Sequence, residues 1–162
     1  MTTTKSQIKS TLTTAKSLCT SGFALGLHVV YTAPSIMLQT YRTDWTAKYV
    51  EKGMVVSDPT VHWAFQNRGA ARWSEMDLPD PQNVMPQAAE YGLAYGCVTS
   101  IQPKDVQSMG FFARDDREFT DDEIETLLAC TQKMHDLTDP SKPLSIDIRS
   151  DLKSLSVMLT TP

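Results

Sequence analysis

Between Ser6 and Cys19 the apolar residues Ile8, Leu12, Ala15, Leu18 and Cys19 return every three or four positions, which predicts one amphipathic helix. Gly22 stops it. The run GFALGLHVVYTA that follows is short, ends in β-branched and aromatic residues and is closed by Pro34, so it reads as a strand. SIMLQTY continues after the proline turn as a second strand, and the two make a hairpin at the start of the sheet. Thr43 or Asp44 is placed to N-cap a helix carrying Trp45 and Tyr49, and Asp58-Pro59 sets a capping carboxylate before a proline at the first helical position. That next helix runs to about Asn67 and ends at Gly69. PDPQNVMPQAAEYG is proline-rich at its start and helical at its end, with Gly92 at the left-handed terminating position. CVTSIQ and QSMGFFA are two strands joined by PKD, a hairpin pattern. Thr120 and Glu123 form a capping box ahead of Ile124, Leu127, Leu128, Met134 and Leu137, one face of a final helix that covers the sheet.

This order of helix, strands, helices, strands and helix predicts an α+β fold, an α-β-α sandwich with a central antiparallel sheet and helices on both faces. At 162 residues the chain is long enough for one ordinary core. The polar, proline-interrupted stretch from Asp139 onward predicts a linker or C-terminal tail, which leaves residues 1–138 as the folded domain.

Composition narrows the function by exclusion. A net charge of −4 gives no electrostatic footprint for nucleic acid, so no direct DNA binding by this chain is expected. The longest mostly apolar run, Gly22 to Tyr31, is too short to span a bilayer, and the amino end lacks a signal-peptide core; no membrane association and a cytoplasmic location are expected. Cys19, Cys97 and Cys130 are odd in number and far apart, which predicts reduced, mostly buried thiols. His28, His62 and His135 are isolated from one another and from the cysteines, so neither a metal nor a cofactor is expected. No GxSxG elbow, HExxH or phosphate-cradling glycine loop is present, which predicts a protein that is not an enzyme. Cys97 after Gly96 is the one nucleophile candidate, against its reading as a buried strand thiol.

The candidate chemistry lies in YRTDWTAKYVEKGMVVSDPTVHWAF, residues 41 to 65. Positions four apart share a helical face, so Tyr41, Trp45 and Tyr49 line one stripe if the helix or its first turn extends to Tyr41. The stripe is either core or the wall of a cavity that also offers hydrogen-bonding tips. Asp58 is either a helix cap alone or also an acceptor for a ligand, and Trp73 is either core or wall.

The ordered set Tyr41, Trp45, Tyr49, Asp58-Pro59, Trp73, then Ala88, Tyr91-Gly92 and Gly96, resembles the autoinducer-binding domain of LuxR-type quorum-sensing regulators, over about Gly22 to Leu137. The resemblance implies a sheet of about five strands that encloses an N-acyl-homoserine lactone under helices on one side. It implies that Trp45 donates its indole N–H to the lactone carbonyl, Asp58 accepts the ligand amide N–H, and Tyr41 donates to the amide carbonyl. Tyr49 and Trp73 would pack on the acyl chain and lactone ring, and Gly92 and Gly96 would permit close backbone approach. Where the family often has Ser or Thr on the last strand, this chain has Phe111. Either Ser108 or Thr99 compensates, or the ligand head is held by fewer bonds, or the ligand is a different amide or lactone.

Such regulators carry a helix-turn-helix beyond the sensor, and nothing after Leu137 has that pattern or its basic charge. The expectation is the sensor part of a LuxR-type regulator, or a natural sensor-only protein, that pairs as a homodimer or as a heterodimer with a full-length regulator. The alternative is a ligand-independent interaction module that modulates such regulators.

Overall fold

Each strand sends alternate side chains to opposite faces of a sheet, and in this chain both sets are apolar, so the sheet must be covered twice. The computed structural model describes residues 3–142, 144–155 and 158–160. Strands β1 (Gly22–Val30), β2 (Ala33–Gln39), β3 (Gly69–Arg72), β4 (Tyr95–Ile101) and β5 (Gln107–Arg114) pair antiparallel in the order β3-β4-β5-β1-β2. Phe23, Leu25, Leu38, Cys97 and Phe112 belong to one core, completed by Ile8 and Leu12 of α1 (Thr4–Leu18) and Leu127 and Met134 of α5 (Asp121–Leu137). Ala24, Val98, Met109, Phe111 and Ala113 belong to the other, beneath α2 (Thr43–Glu51), α3 (Pro59–Gln66) and α4 (Val84–Glu90). The chain is thus an α+β sandwich with helices on both faces. Among the described residues no helix is long and apolar enough to cross a membrane.

Local signals hold where the backbone chemistry is self-contained. Thr120 and Glu123 complete a reciprocal capping box on α5, with bonds of 2.9 and 3.2 Å. Asp58 caps α3 with Pro59 in its first turn. Gly92, at φ +88°, closes α4 with the paired bonds Gly92 N–H to Ala89 O and Leu93 N–H to Ala88 O, the Schellman pattern.

Two expectations are corrected, and one strand is added. First, α2 begins at Thr43 after Arg42, which gives no side-chain cap; Asp44 sits inside the first turn and accepts the Trp45 N–H at 2.8 Å. Tyr41 therefore precedes the helix. Second, GAAR at Gly69–Arg72 is a strand, carried by its pairing with β4 rather than by any β propensity of its own. Third, the stretch read as a linker or tail holds α6 (Ile146–Leu155) and a short strand β6 (Met158–Thr160) that pairs with β2. Leu152 is only 1% exposed and packs with Ile148 and Leu144 onto the α1/α5 core, so apolar residues spaced by four override the polar composition. Pro143, Ser156, Val157, Thr161 and Pro162 of that stretch lie outside the described residues.

Candidate functional site

A cavity of about 120 Å³ lies between the sheet and the α2–α4 layer. Tyr41, Trp45, Tyr49, Asp58, Trp73 and Phe111 all line it. Trp45 and Tyr49 reach it from successive turns of α2, their rings 5.8 Å apart. Trp45 packs on its other side against Tyr91, at 5.4 Å, and its indole N–H takes no acceptor among the described residues. Tyr91 in turn lies under the cations of Arg42 and Lys48.

Tyr41 reaches the same wall from outside the helix because its hydroxyl is anchored: it donates to the carbonyl of Phe111 at 2.8 Å. Burial pushes this phenol's pKa well above its ordinary value, so the proton stays on. Tyr49 donates to Asp58 Oδ2 at 2.7 Å, while Asp58 Oδ1 accepts the Thr60 N–H at 2.8 Å and the Thr60 hydroxyl at 2.7 Å. Burial raises the Asp58 pKa, opposed by the donors on Tyr49 and Thr60 and by the Val61 N–H. Of the hydroxyls that line the cavity, Thr46 donates to Thr43 O, and those of Tyr41, Tyr49 and Thr60 are committed as described.

Trp73 enters from a single helical turn after β3, and its indole nitrogen is buried without a partner. Gly96 does not line the cavity; it lies beneath the Trp73 ring, where a Cβ would meet ring carbons at 2.3 Å. Gly92 is likewise outside, held at the end of α4 with its carbonyl accepting from Ser21. The two glycines thus shape the site without lining it.

The hydroxyls named as compensating for Phe111 point the other way. Thr99 bonds Thr131 of α5 at 2.7 Å, and Ser108 bonds His135 Nδ1 at 2.7 Å and accepts the His28 N–H at 2.9 Å. The two-residue period sends Met109, Phe111 and Ala113 to the cavity side, and Ser108 therefore to the opposite one. Thr60 was not picked out from sequence, although its position two residues after a capping Asp is where that carboxylate bonds.

Cys97 is fully buried and burial pushes its thiol pKa up; Cys19 is pushed up to about 12 by the same cause. Neither is a thiolate near neutrality, so neither is an activated nucleophile. Two histidines far apart in sequence meet: the His28 and His135 rings stack at 4.3 Å, and His28 Nε2 donates to the His135 carbonyl at 2.9 Å. Among the described residues no group of three or more His, Cys, Asp or Glu is placed to hold a metal ion.

The family model described as "Autoinducer binding domain" matches residues 11–137. Among solved structures, the chain is similar to the N-acylhomoserine lactone dependent LuxR family transcription factor CepR2 from Burkholderia cenocepacia, with a TM-score of 0.59 at 18% identity over 85% of this chain and 84% of that one. It is also similar to SdiA in complex with octanoyl-rac-glycerol, TM-score 0.62 at 22% identity over 86% of this chain and 62% of that one. Escherichia coli SdiA in the space group P6522 gives a TM-score of 0.61 at 20% identity over 86% of this chain and 64% of that one. The chain thus spans less than two thirds of these SdiA chains. At such identities the likeness is one of fold. No curated protein sequence matches the chain.

Proposed function

We propose, from the premise that the chain belongs to the autoinducer-binding domain family, that its cavity binds an N-acyl-homoserine lactone as the signal of a LuxR-type sensor. The observation that carries this is a polar triad set in an otherwise apolar wall: an indole N–H on Trp45 without an acceptor among the described residues, a phenol on Tyr41, and the buried Asp58 carboxylate. A homoserine lactone amide has two carbonyl acceptors and one N–H donor ahead of an apolar tail, which is the complement of that set. Trp45 takes the lactone carbonyl and Asp58 the amide N–H. Tyr41 takes the amide carbonyl, which requires its hydroxyl to turn from the Phe111 carbonyl. Tyr49, Trp73 and Phe111 supply the apolar contact, at roughly 0.8 kcal/mol per buried methylene.

CepR2 is an N-acylhomoserine lactone dependent factor, and SdiA forms a complex with octanoyl-rac-glycerol; both ligands are small polar heads on an acyl tail. In this reading the sensor is the domain of residues 1–138 with α6 packed against it, and its output passes through a second copy of the chain or a full-length regulator, without direct DNA contact by this chain. Thermal unfolding against acyl-homoserine lactones of graded chain length tests the proposal. A ligand at one hundred times its dissociation constant stabilises the folded state by about 2.7 kcal/mol. A panel that leaves the melting temperature unmoved throughout refutes it.

A further inference from the structure

We infer that Tyr91, which does not line the cavity, is a positioning residue for the signal: it backs the Trp45 indole and fixes the direction of its N–H. The inference rests on the homoserine lactone reading above, in which that N–H serves the lactone carbonyl.

The start of α2 has no side-chain cap, so the backbone N–H groups of its first turn, where Trp45 sits, need other partners. The Trp45 N–H finds Asp44 Oδ1 at 2.8 Å. The same carboxylate takes a two-pronged bond from Arg42, with Nε at 3.1 Å and Nη2 at 2.7 Å. Arg42 Nη1 then donates to the Tyr91 carbonyl at 3.3 Å, which ties the Trp45 backbone to the end of α4. The side chains close the circuit: the Tyr91 ring lies 5.4 Å from the Trp45 ring, and Arg42 and Lys48 bring their cations to 5.4 and 5.3 Å from the Tyr91 ring centre.

Tyr91 is itself held at a fixed place. It caps α4, its N–H bonds the Ala88 carbonyl at 3.0 Å, and the next residue, Gly92 at φ +88°, returns its N–H to Ala89 and accepts the Ser21 hydroxyl. The Trp45 indole thus meets Tyr49, a cavity residue, at 5.8 Å, and Tyr91, outside the cavity, at 5.4 Å. Cutting Tyr91 back opens space behind the indole, and the ring then swings its N–H off the line to the lactone carbonyl; a misplacement of about 1 Å is enough to spoil a binding group. Contacts between a cation and an exposed ring are individually weak, so the clamp supplies orientation more than stability.

The test is a cycle of dissociation constants for N-octanoyl- and N-dodecanoyl-homoserine lactone, measured by calorimetry on the 162-residue chain and on Tyr91→Leu, Tyr91→Phe, Trp45→Phe and Trp45→Phe/Tyr91→Leu. Tyr91→Leu should bind the tighter of the two ligands about tenfold more weakly than wild type, within the range of one lost hydrogen bond. Tyr91→Phe keeps the ring and should recover most of that loss. In the Trp45→Phe background no indole N–H is left to aim, so adding Tyr91→Leu should change affinity by less than about twofold, whereas a role in packing alone would weaken both backgrounds alike. Undiminished binding by folded Tyr91→Leu, or an equal loss in both backgrounds, overturns the inference and leaves the lactone reading standing. If Tyr91→Leu does not fold, Arg42→Gln, at a side chain 58% exposed, takes its place in the same cycle, with a loss expected only where Trp45 is present. Binding of neither ligand by the wild type overturns the lactone reading and this inference with it.

Discussion

The indole of Trp73 fills the space directly above Gly96, so that a Cβ at position 96 would stand 2.3 Å from ring carbons Cδ2 and Cε2. A hydrogen is all that fits between β4 and this wall of the cavity. Gly96→Ala should therefore push the indole inward and cost about 1–3 kcal/mol in stability, as overpacking does. Trp73→Leu vacates that space, so the double variant should lose less than the sum of the two single losses. Urea unfolding of the four proteins gives the coupling, and strict additivity would show that the two residues are not in contact.

Asp58 serves α3 and Tyr49 at once. Asp58→Ala removes a helix cap, about 1 kcal/mol, and strands the Tyr49 hydroxyl, about 1–3 kcal/mol more. Asp58→Asn keeps one carbonyl oxygen and should fall between wild type and Ala. Tyr49→Phe in the Asp58→Ala background should recover part of the loss, because it removes the stranded hydroxyl. Denaturant midpoints that fail to rise in that double variant would contradict the shared bond.

Trp45→Phe is expected to separate stability from binding. The indole N–H has no acceptor among the described residues, so its loss leaves the unfolding midpoint nearly unchanged apart from a small packing change. Affinity for the lactone should fall by roughly 1–3 kcal/mol if that N–H serves the ligand. Equal affinity in folded Trp45→Phe would reduce Trp45 to a core aromatic.

The stacked histidines predict a pH dependence with a definite sign. Burial, followed by the neighbouring His28 ring, depresses the His135 pKa below 6.5, with Asp136 and Asp139 opposing. Above about pH 7 the residue is neutral in folded and unfolded chains alike, and no penalty arises. As pH falls through the unfolded value the unfolded chain takes up the proton first, so stability declines from pH 7 downward until the folded pKa is reached. The slope is at most about 1.4 kcal/mol per pH unit for one proton. Urea midpoints between pH 7.5 and 5.5 should fall in the wild type and flatten in His135→Gln; a rising midpoint would reverse the assigned shift.

Leu152 tests whether the C-terminal helix belongs to the fold. Its side chain is buried in the α1/α5 core, so Leu152→Ala should cost about 2–5 kcal/mol and lower a single unfolding transition. A midpoint within error of wild type would mean that α6 contributes nothing to the core.

What the sequence determined by itself was the local and the periodic. Caps and turn residues act on backbone groups within four positions, so Asp58-Pro59, Thr120 with Glu123, and Gly92 specify their helix ends without reference to the rest of the chain. Trp45, Asp58 and Trp73 were grouped by the family resemblance rather than by spacing alone, and all three line one cavity. Tertiary structure decided the rest, because those outcomes depend on partners far along the chain. GAAR becomes a strand only where β4 offers its edge, and α6 settles only on a core built by α1 and α5. Tyr41 joins the cavity through a bond to a carbonyl 70 residues away, and Gly96 serves as the seat of Trp73 rather than as cavity lining. Strand register turned Ser108 away from the cavity and Phe111 into it. A one-residue difference along a strand exchanges its two faces, and which face meets the cavity is fixed by the neighbouring strands rather than by the residue itself.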